Sequence, residues 1–140
     1  MIDTFRGKHT FLSNFYHAPF TDADGRVYPT VENYFQAHKV ASPDRDPFTN
    51  CSAVEAKRLG RTVAIVGEWD VRRLWVMRQG LARKFREGSE LGRRLLDTGD
   101  ELIVERNTWG DHFWGVTETG GCNWLGHLLM ARRAELRGDA

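Results

Sequence analysis

At 140 residues the chain has room for one ordinary domain, residues 1–140, and can bury a contiguous core without disulfides or a structural metal. Its apolar share of 41% with 28% charged residues is that of a globular protein, and no stretch approaches the roughly 18 uninterrupted apolar residues of a membrane span. A net charge of +1 argues against a generalised electrostatic grip on nucleic acid and leaves room only for a local anion site.

Residues Met1 to Lys8 carry Asp3, Arg6 and Lys8 around a single Phe5, so no secretory signal is read and cytoplasmic residence is expected. The opening third reads as short strands and turns. Asp22-Ala23-Asp24-Gly25, set between Ala18-Pro19-Phe20 and Arg26-Val27-Tyr28, predicts a β-hairpin, because glycine accepts positive φ. Thr30 then caps a helix in which Val31, Tyr34, Phe35 and His38 recur at core spacing. At about 100° per residue, Glu32, Gln36 and Lys39 fall within a sector of about 60° beside that apolar stripe.

Ser52-Ala53-Val54-Glu55 reads as a capping box and Gly60 as the stop of a short helix. Asp70 caps a longer one, with Leu74, Met77, Leu81 and Phe85 on its apolar face. A further helix runs from Ser89 towards Asp97 and stops at Gly99, and Glu101 to Glu105 reads as a strand. After a Gly- and Trp-rich loop, Asn123 caps the last helix, whose core face carries Leu125, Leu128, Leu129 and Leu136. Without the regular alternation of a doubly wound sheet, the expected class is α+β: a helix-predominant single domain with an N-terminal β-hairpin and one or two further short strands.

Cys51 and Cys122 lie far apart and outside any C-x-x-C pair, and the five histidines show no H-x-x-x-H or H-E-x-x-H pattern, so no metal or other cofactor is expected. G-x-S-x-G, P-loop and G-x-G-x-x-G signatures are absent as well. The chemistry is therefore sought in three segments. In Asn107-Thr108-Trp109-Gly110-Asp111-His112-Phe113-Trp114-Gly115, two Trp-Gly pairs bracket a carboxylate; this is either a folded-over hydrophobic plug or a place where an aromatic ring stacks on Trp beside Asp111. Glu32, an acid in a first turn, is ordinarily explained by the helix macrodipole, but Gln36 and Lys39 on the same edge could bind sugar hydroxyls, phosphate or Glu32 itself. Ser13-Asn14 forms a turn or offers hydrogen bonds to a ligand.

Three blocks resemble the NADAR, or YbiA-like, N-glycosidase family: Phe11-Leu12-Ser13-Asn14-Phe15-Tyr16, then Tyr28 to Lys39, then Asp111-His112-Phe113-Trp114-Gly115 leading to Asn123-Trp124-Leu125-Gly126-His127-Leu128-Leu129-Met130. The resemblance implies a ribosyl-nitrogen hydrolase. Its substrate would be a phosphoribosylamino-pyrimidine intermediate of riboflavin synthesis or ADP-ribose on a nucleobase, either free or carried by nucleic acid. It places the family's glutamate on Glu32, its tryptophan on Trp69, its loop aspartate on Asp111 and its lysine on Lys39. Substrate contacts are then expected from Asn14, Phe15, Gln36, Trp69, Asn107, Trp114, Gly115 and Asn123. Two positions depart from the family pattern: His38 stands where glutamine is frequent, and Cys122 where a basic residue is common.

Cleaving a ribose C1–N bond builds positive charge on the sugar, which a fixed carboxylate stabilises while another group directs water. Glu32 and Asp111 are the candidates, expected to face one pocket lined by Trp69. A second route opens the ring and captures C1 as a Schiff base on Lys39. The rival from a different class is a non-catalytic module binding ADP-ribose or another nucleotide, in which Trp69, Trp109 and Trp114 form a cage.

Overall fold

Two short antiparallel strands, β1 (Phe20–Thr21) and β2 (Val27–Tyr28), are followed by helices α1 (Val31–Ala37), α2 (Ala53–Gly60), α3 (Trp69–Lys84), α4 (Glu90–Leu96) and α5 (Trp124–Arg137). These come from a computed structural model, which describes residues 1–139. The class is α+β with helix predominating, as expected. Contacts gather the chain into two compact units, one of Asn14–Lys84 and one of Met1–Ser13 with the residues from Phe85 onward.

In the first unit the hairpin closes through Asp22, whose amide donates to the Arg26 carbonyl at 2.8 Å, with Gly25 at φ 88 in the turn. Tyr28 and Tyr34 meet edge to face at 5.5 Å and Phe20 packs on Tyr34 at 5.4 Å, so the hairpin sits on α1 through aromatic edges. Thr30 caps α1 as expected, its side chain accepting from the Asn33 amide. The expected two-sided pattern does not hold: every residue from Val31 to Ala37 is buried, Glu32 and Gln36 included. Glycines admit neighbours to both sides of the helix. A Cβ on Gly80 of α3 would stand 2.9 Å from the Tyr34 ring, and one on Gly60 of α2 would stand 1.9 Å from Gln36 Oε1.

Gly60 is therefore a close-approach residue inside α2, and the chain turns after it at Arg61. The capping box forms with both hydrogen bonds between Ser52 and Glu55. Helix α3 starts one residue before the expected cap. The carbonyl of Glu68, a residue held at φ 63, accepts from Val71 and Arg72, which leaves Asp70 within the first turn. Lys84, at the far end of α3, is 4% exposed with its ammonium 5.5 Å from the Tyr16 ring, and burial lowers its pKa to about 7.

In the second unit Phe11 and Leu12 lie on a 3-10 turn, Gly7–Leu12, within the stretch read as short strands and turns. Gly7 at φ 56 reverses the backbone, and the Thr10 hydroxyl and Ser13 amide close the turn. Phe11 packs on Phe85 at 6.3 Å and under the Arg94 guanidinium. Ser89 caps α4 and Gly99 turns the chain after it at φ 63. The expected strand at 101–105 is reduced to isolated parallel bridges, Ile2 to Ile103 and, just beyond it, Arg106 to Val116, because Ile2 and Val116 each share hydrogen bonds with only a short part of it. Helix α5 buries Leu125 and Leu129.

Candidate active site

The candidate residues of the first unit gather around α1. Glu32 is 7% exposed, and its carboxylate oxygen Oε1 accepts from Gln36 Nε2 at 2.9 Å, one turn along the helix. A buried carboxylate is costly unless hydrogen-bonded, and the Gln36 amide meets that need while holding the acid in one orientation. The other side of that amide rests on the bare backbone of Gly60, and Gln36 Oε1 is buried without a hydrogen-bond partner. The Glu32 amide donates to the Asn14 carbonyl at 3.1 Å, bringing the Asn14-Phe15 segment onto the start of α1. Asn14 Nδ2 points at Met77 Sδ at 3.5 Å, while its Oδ1 is buried and unsatisfied.

Helix α1 stops short of Lys39. The His38 ring nitrogen Nδ1 donates to the Tyr34 carbonyl at 2.8 Å in competition with the His38 amide, and the amides of Lys39 and Val40 then close tighter i−3 turns. Lys39 is half-buried in that turn, its carbonyl accepting from the Val66 amide at 2.8 Å. Burial is the main cause holding its pKa below the ordinary lysine value; the Glu32 charge opposes that shift, and the charges of Arg61 and Lys57 reinforce it. Trp69 is half-buried with its ring 5.1 Å from Phe35, on the same short helix as Glu32. Phe15 is 40% exposed, with the Lys57 ammonium 5.8 Å above its ring.

The candidates of the second unit form the Trp-Gly loop and its anchor, and here the structure assigns scaffolding contacts. Asp111 Oδ1 accepts from the amides of Phe113 and Trp114 at 3.0 and 2.9 Å, which shapes the turn around the carboxylate. Asn107 is buried and clamps Asp111 reciprocally, Nδ2 to the Asp111 carbonyl and Oδ1 from the Asp111 amide. Gly115 is a close-approach position, since a Cβ there would stand 2.3 Å from the Glu105 carbonyl. Asn123 does not cap α5 through its side chain. At φ 53 it turns the chain, and its side-chain amide bridges the Glu105 amide and the Ile103 carbonyl. Trp114 stands edge-on to Phe113 at 4.8 Å, and Trp109 is largely exposed.

Glu32, Gln36, Lys39, Asn14, Phe15 and Trp69 thus belong to one unit, and Asp111, Asn107, Trp114, Gly115 and Asn123 to the other. Reading the sequence missed Asn33, which is fully buried and donates from Nδ2 to the carbonyls of Phe48 and Cys51, tying the chain before α2 to α1. It also missed Lys57 and Arg61, whose charges act on Lys39. The Thr30-x-x-Asn33 spacing was a usable signal for the first; a basic residue in a short polar helix and another at its C-cap are no signal at all. Among the described residues no three His, Cys, Asp or Glu side chains group as metal ligands, and both cysteines are free thiols.

The family model for the NADAR domain matches residues 3–137. An N-glycosidase of Nostoc punctiforme is 40% identical over 118 residues, spanning 79% of this chain and 75% of that protein. The N-glycosidase YbiA of Escherichia coli is 37% identical over 89% of this chain and 80% of its own length, and the NMR structure of Escherichia coli YbiA superposes with a TM-score of 0.83 over 99% of this chain and 88% of that one, at 34% identity. The chloroplastic riboflavin biosynthesis protein PYRR of Zea mays is 32% identical over 97% of this chain, a match that takes up 24% of that longer protein.

Proposed function

The chain belongs to the NADAR domain family and is an N-glycosidase, and from that premise we propose that it hydrolyses the bond between ribose C1 and nitrogen in a phosphoribosylamino-pyrimidine. The substrate class is supported by two relatives that carry riboflavin biosynthesis names, in Zea mays and Vibrio vulnificus. The observation that carries the mechanism is the buried Glu32 carboxylate, oriented by Gln36 one turn away, with the half-buried amine of Lys39 just beyond the helix end.

As the C1–N bond lengthens, its electron pair leaves with nitrogen and positive charge spreads over C1 and the ring oxygen. A carboxylate already desolvated and fixed stabilises that charge without reorganising, which is the larger part of what such a group contributes. The departing nitrogen takes up a proton, and water adds to C1 and loses one, leaving the free amine and ribose 5-phosphate. The second route runs through Lys39. Ring opening exposes C1 to the amine, nitrogen leaves as the imine forms, and water then releases the sugar. A depressed lysine pKa favours this route because only the neutral amine attacks. Asp111 is the other candidate acid or base. Asp111→Asn keeps Oδ1 as acceptor for the Phe113 and Trp114 amides and removes the charge, so a loss of turnover at unchanged stability assigns it chemistry, and full activity leaves it a turn-former.

The deciding experiment is Glu32→Gln, assayed in parallel on phosphoribosylamino-pyrimidine and on an ADP-ribosylated nucleobase. The variant keeps size and hydrogen bonding and loses the charge, so turnover falls by about two orders of magnitude while substrate still binds. Undiminished turnover removes Glu32 from the mechanism, and turnover of the nucleobase substrate alone replaces the pyrimidine as substrate. A wild-type chain that binds either compound and cleaves neither is a binding module.

A further inference from the structure

Helix α2 lies against α1 at Gly60, with the Gln36 amide in the space where a side chain would be. Lys57 and Arg61 flank that contact, at about 60° and 100° around the helix axis from Gly60, so both project to the same side of it. The segment on that side is Asn14-Phe15: the Lys57 ammonium stands 5.8 Å from the exposed Phe15 ring, and the Asn14 carbonyl accepts from the amide of Glu32. The charges of both cations hold the Lys39 pKa down, and that of Glu32 opposes them. Lys57 and Arg61 therefore lie on the side of α2 that borders Phe15, next to the Gln36 amide that holds Glu32, in a protein whose net charge is +1. Lys57 in α2 and Arg61 at its C-cap are like charges four residues apart, which repel, and the chain places the pair beside the residues proposed to act on ribose. A phosphate dianion offsets that repulsion, and an arginine with a lysine is the usual pair of donors for it.

We infer that Lys57 and Arg61, on the side of α2 that borders Phe15, form a subsite for the phosphate of the ribosyl substrate. The inference rests on the N-glycosidase reading for its choice of sugar, and it adds two specificity-determining residues to that site. Phosphate held there acts on recognition, and it also offsets the Lys57 and Arg61 charges that push the Lys39 amine towards its neutral form.

The test is binding of ribose 5-phosphate, ADP-ribose and unphosphorylated ribose to the full chain, by calorimetry or by chemical-shift titration. The wild type binds ribose 5-phosphate and not ribose; Lys57→Gln and Arg61→Gln each weaken ribose 5-phosphate binding by about tenfold, and the charge-conserving Lys57→Arg and Arg61→Lys recover most of it. An equal loss for ADP-ribose makes a pyrophosphate the occupant, and a loss confined to ribose 5-phosphate makes it a terminal phosphomonoester. Unchanged affinity for both phosphorylated ligands in the Lys57→Gln, Arg61→Gln double variant, with its circular dichroism intact, overturns the inference. Because binding is read without turnover, failure of the proposed reaction leaves this result interpretable.

Discussion

His38 donates from Nδ1 to the Tyr34 carbonyl, which leaves Nε2 3.6 Å from Asp22 Oδ2, with Arg83 on the other oxygen of the same carboxylate at 3.4 Å. Its ring lies 4.1 Å from Tyr34 and 6.3 Å from Tyr28. Burial is the main cause depressing its pKa below the ordinary 6.5; the hydrogen bond to Tyr34 and the charge of Asp22 oppose that, while Arg45 and Arg72 add to it. A depressed histidine binds its proton more weakly folded than unfolded, so its contribution to stability is complete above about pH 6.5 and is lost as pH falls from there through the folded pKa. The urea midpoint is therefore expected to drop between about pH 7 and pH 5, and His38→Gln to flatten that part of the curve. An equal slope in both proteins assigns the pH dependence elsewhere. At Lys39 the expected outcome is covalent: borohydride added during turnover traps a sugar adduct on the wild type and none on Lys39→Met, and absence of any adduct leaves direct hydrolysis as the route.

At the scale of elements, the contact between α1 and α2 decides how Glu32 is held. Gly60→Ala would add a carbon where Gln36 Oε1 now lies, so the Gln36 amide must move and its hydrogen bond to Glu32 Oε1 is disturbed. Overpacking of this kind costs about 1–3 kcal/mol, which at least offsets the ~1 kcal/mol that alanine gains over glycine in a helix. The variant is expected to be less stable in urea and also slower in turnover. A substitution that lowers stability and leaves kcat untouched would show that Gln36 does not orient the acid. Ser52→Ala offers the contrast. It removes the cap of the same helix at a distance from Gln36, costs about 1 kcal/mol, and should leave kcat unchanged at temperatures where the protein stays folded.

For the whole molecule, no cross-link and no grouped set of metal ligands is found among the described residues, and the buried groups are hydrophobic or hydrogen-bonded with exceptions that include Asn14 Oδ1, Gln36 Oε1 and the Tyr28 hydroxyl. Thermal unfolding and N-glycosidase turnover are therefore expected to be the same with and without a reducing agent, and with and without EDTA. Loss of turnover on chelation, restored by zinc or magnesium, would overturn the metal-independent reading. No helix is long and apolar enough to cross a membrane among the described residues.

What lies within a few residues of chain could be read directly. The hairpin at Asp22–Gly25, the Thr30 and Ser89 caps and the Ser52–Glu55 box are all present, because each is a hydrogen bond or a φ preference written over three or four positions; the sequence put Gln36 beside Glu32 and left its partner open, and the structure pairs the two. The family, too, was legible in three ordered blocks. Only the tertiary structure shows that α1 is buried all round, that Gly60 marks a close approach, and that Asn123 braces the chain at 103–105. It alone shows that Asp111 shapes its own loop through Oδ1, and that Lys57 and Arg61 act on Lys39. The reason is physical: a glycine reads the same whether it frees φ or admits a neighbour, and a surface cation reads the same wherever its helix is docked. Which role it plays is decided by the partner that packing brings against it.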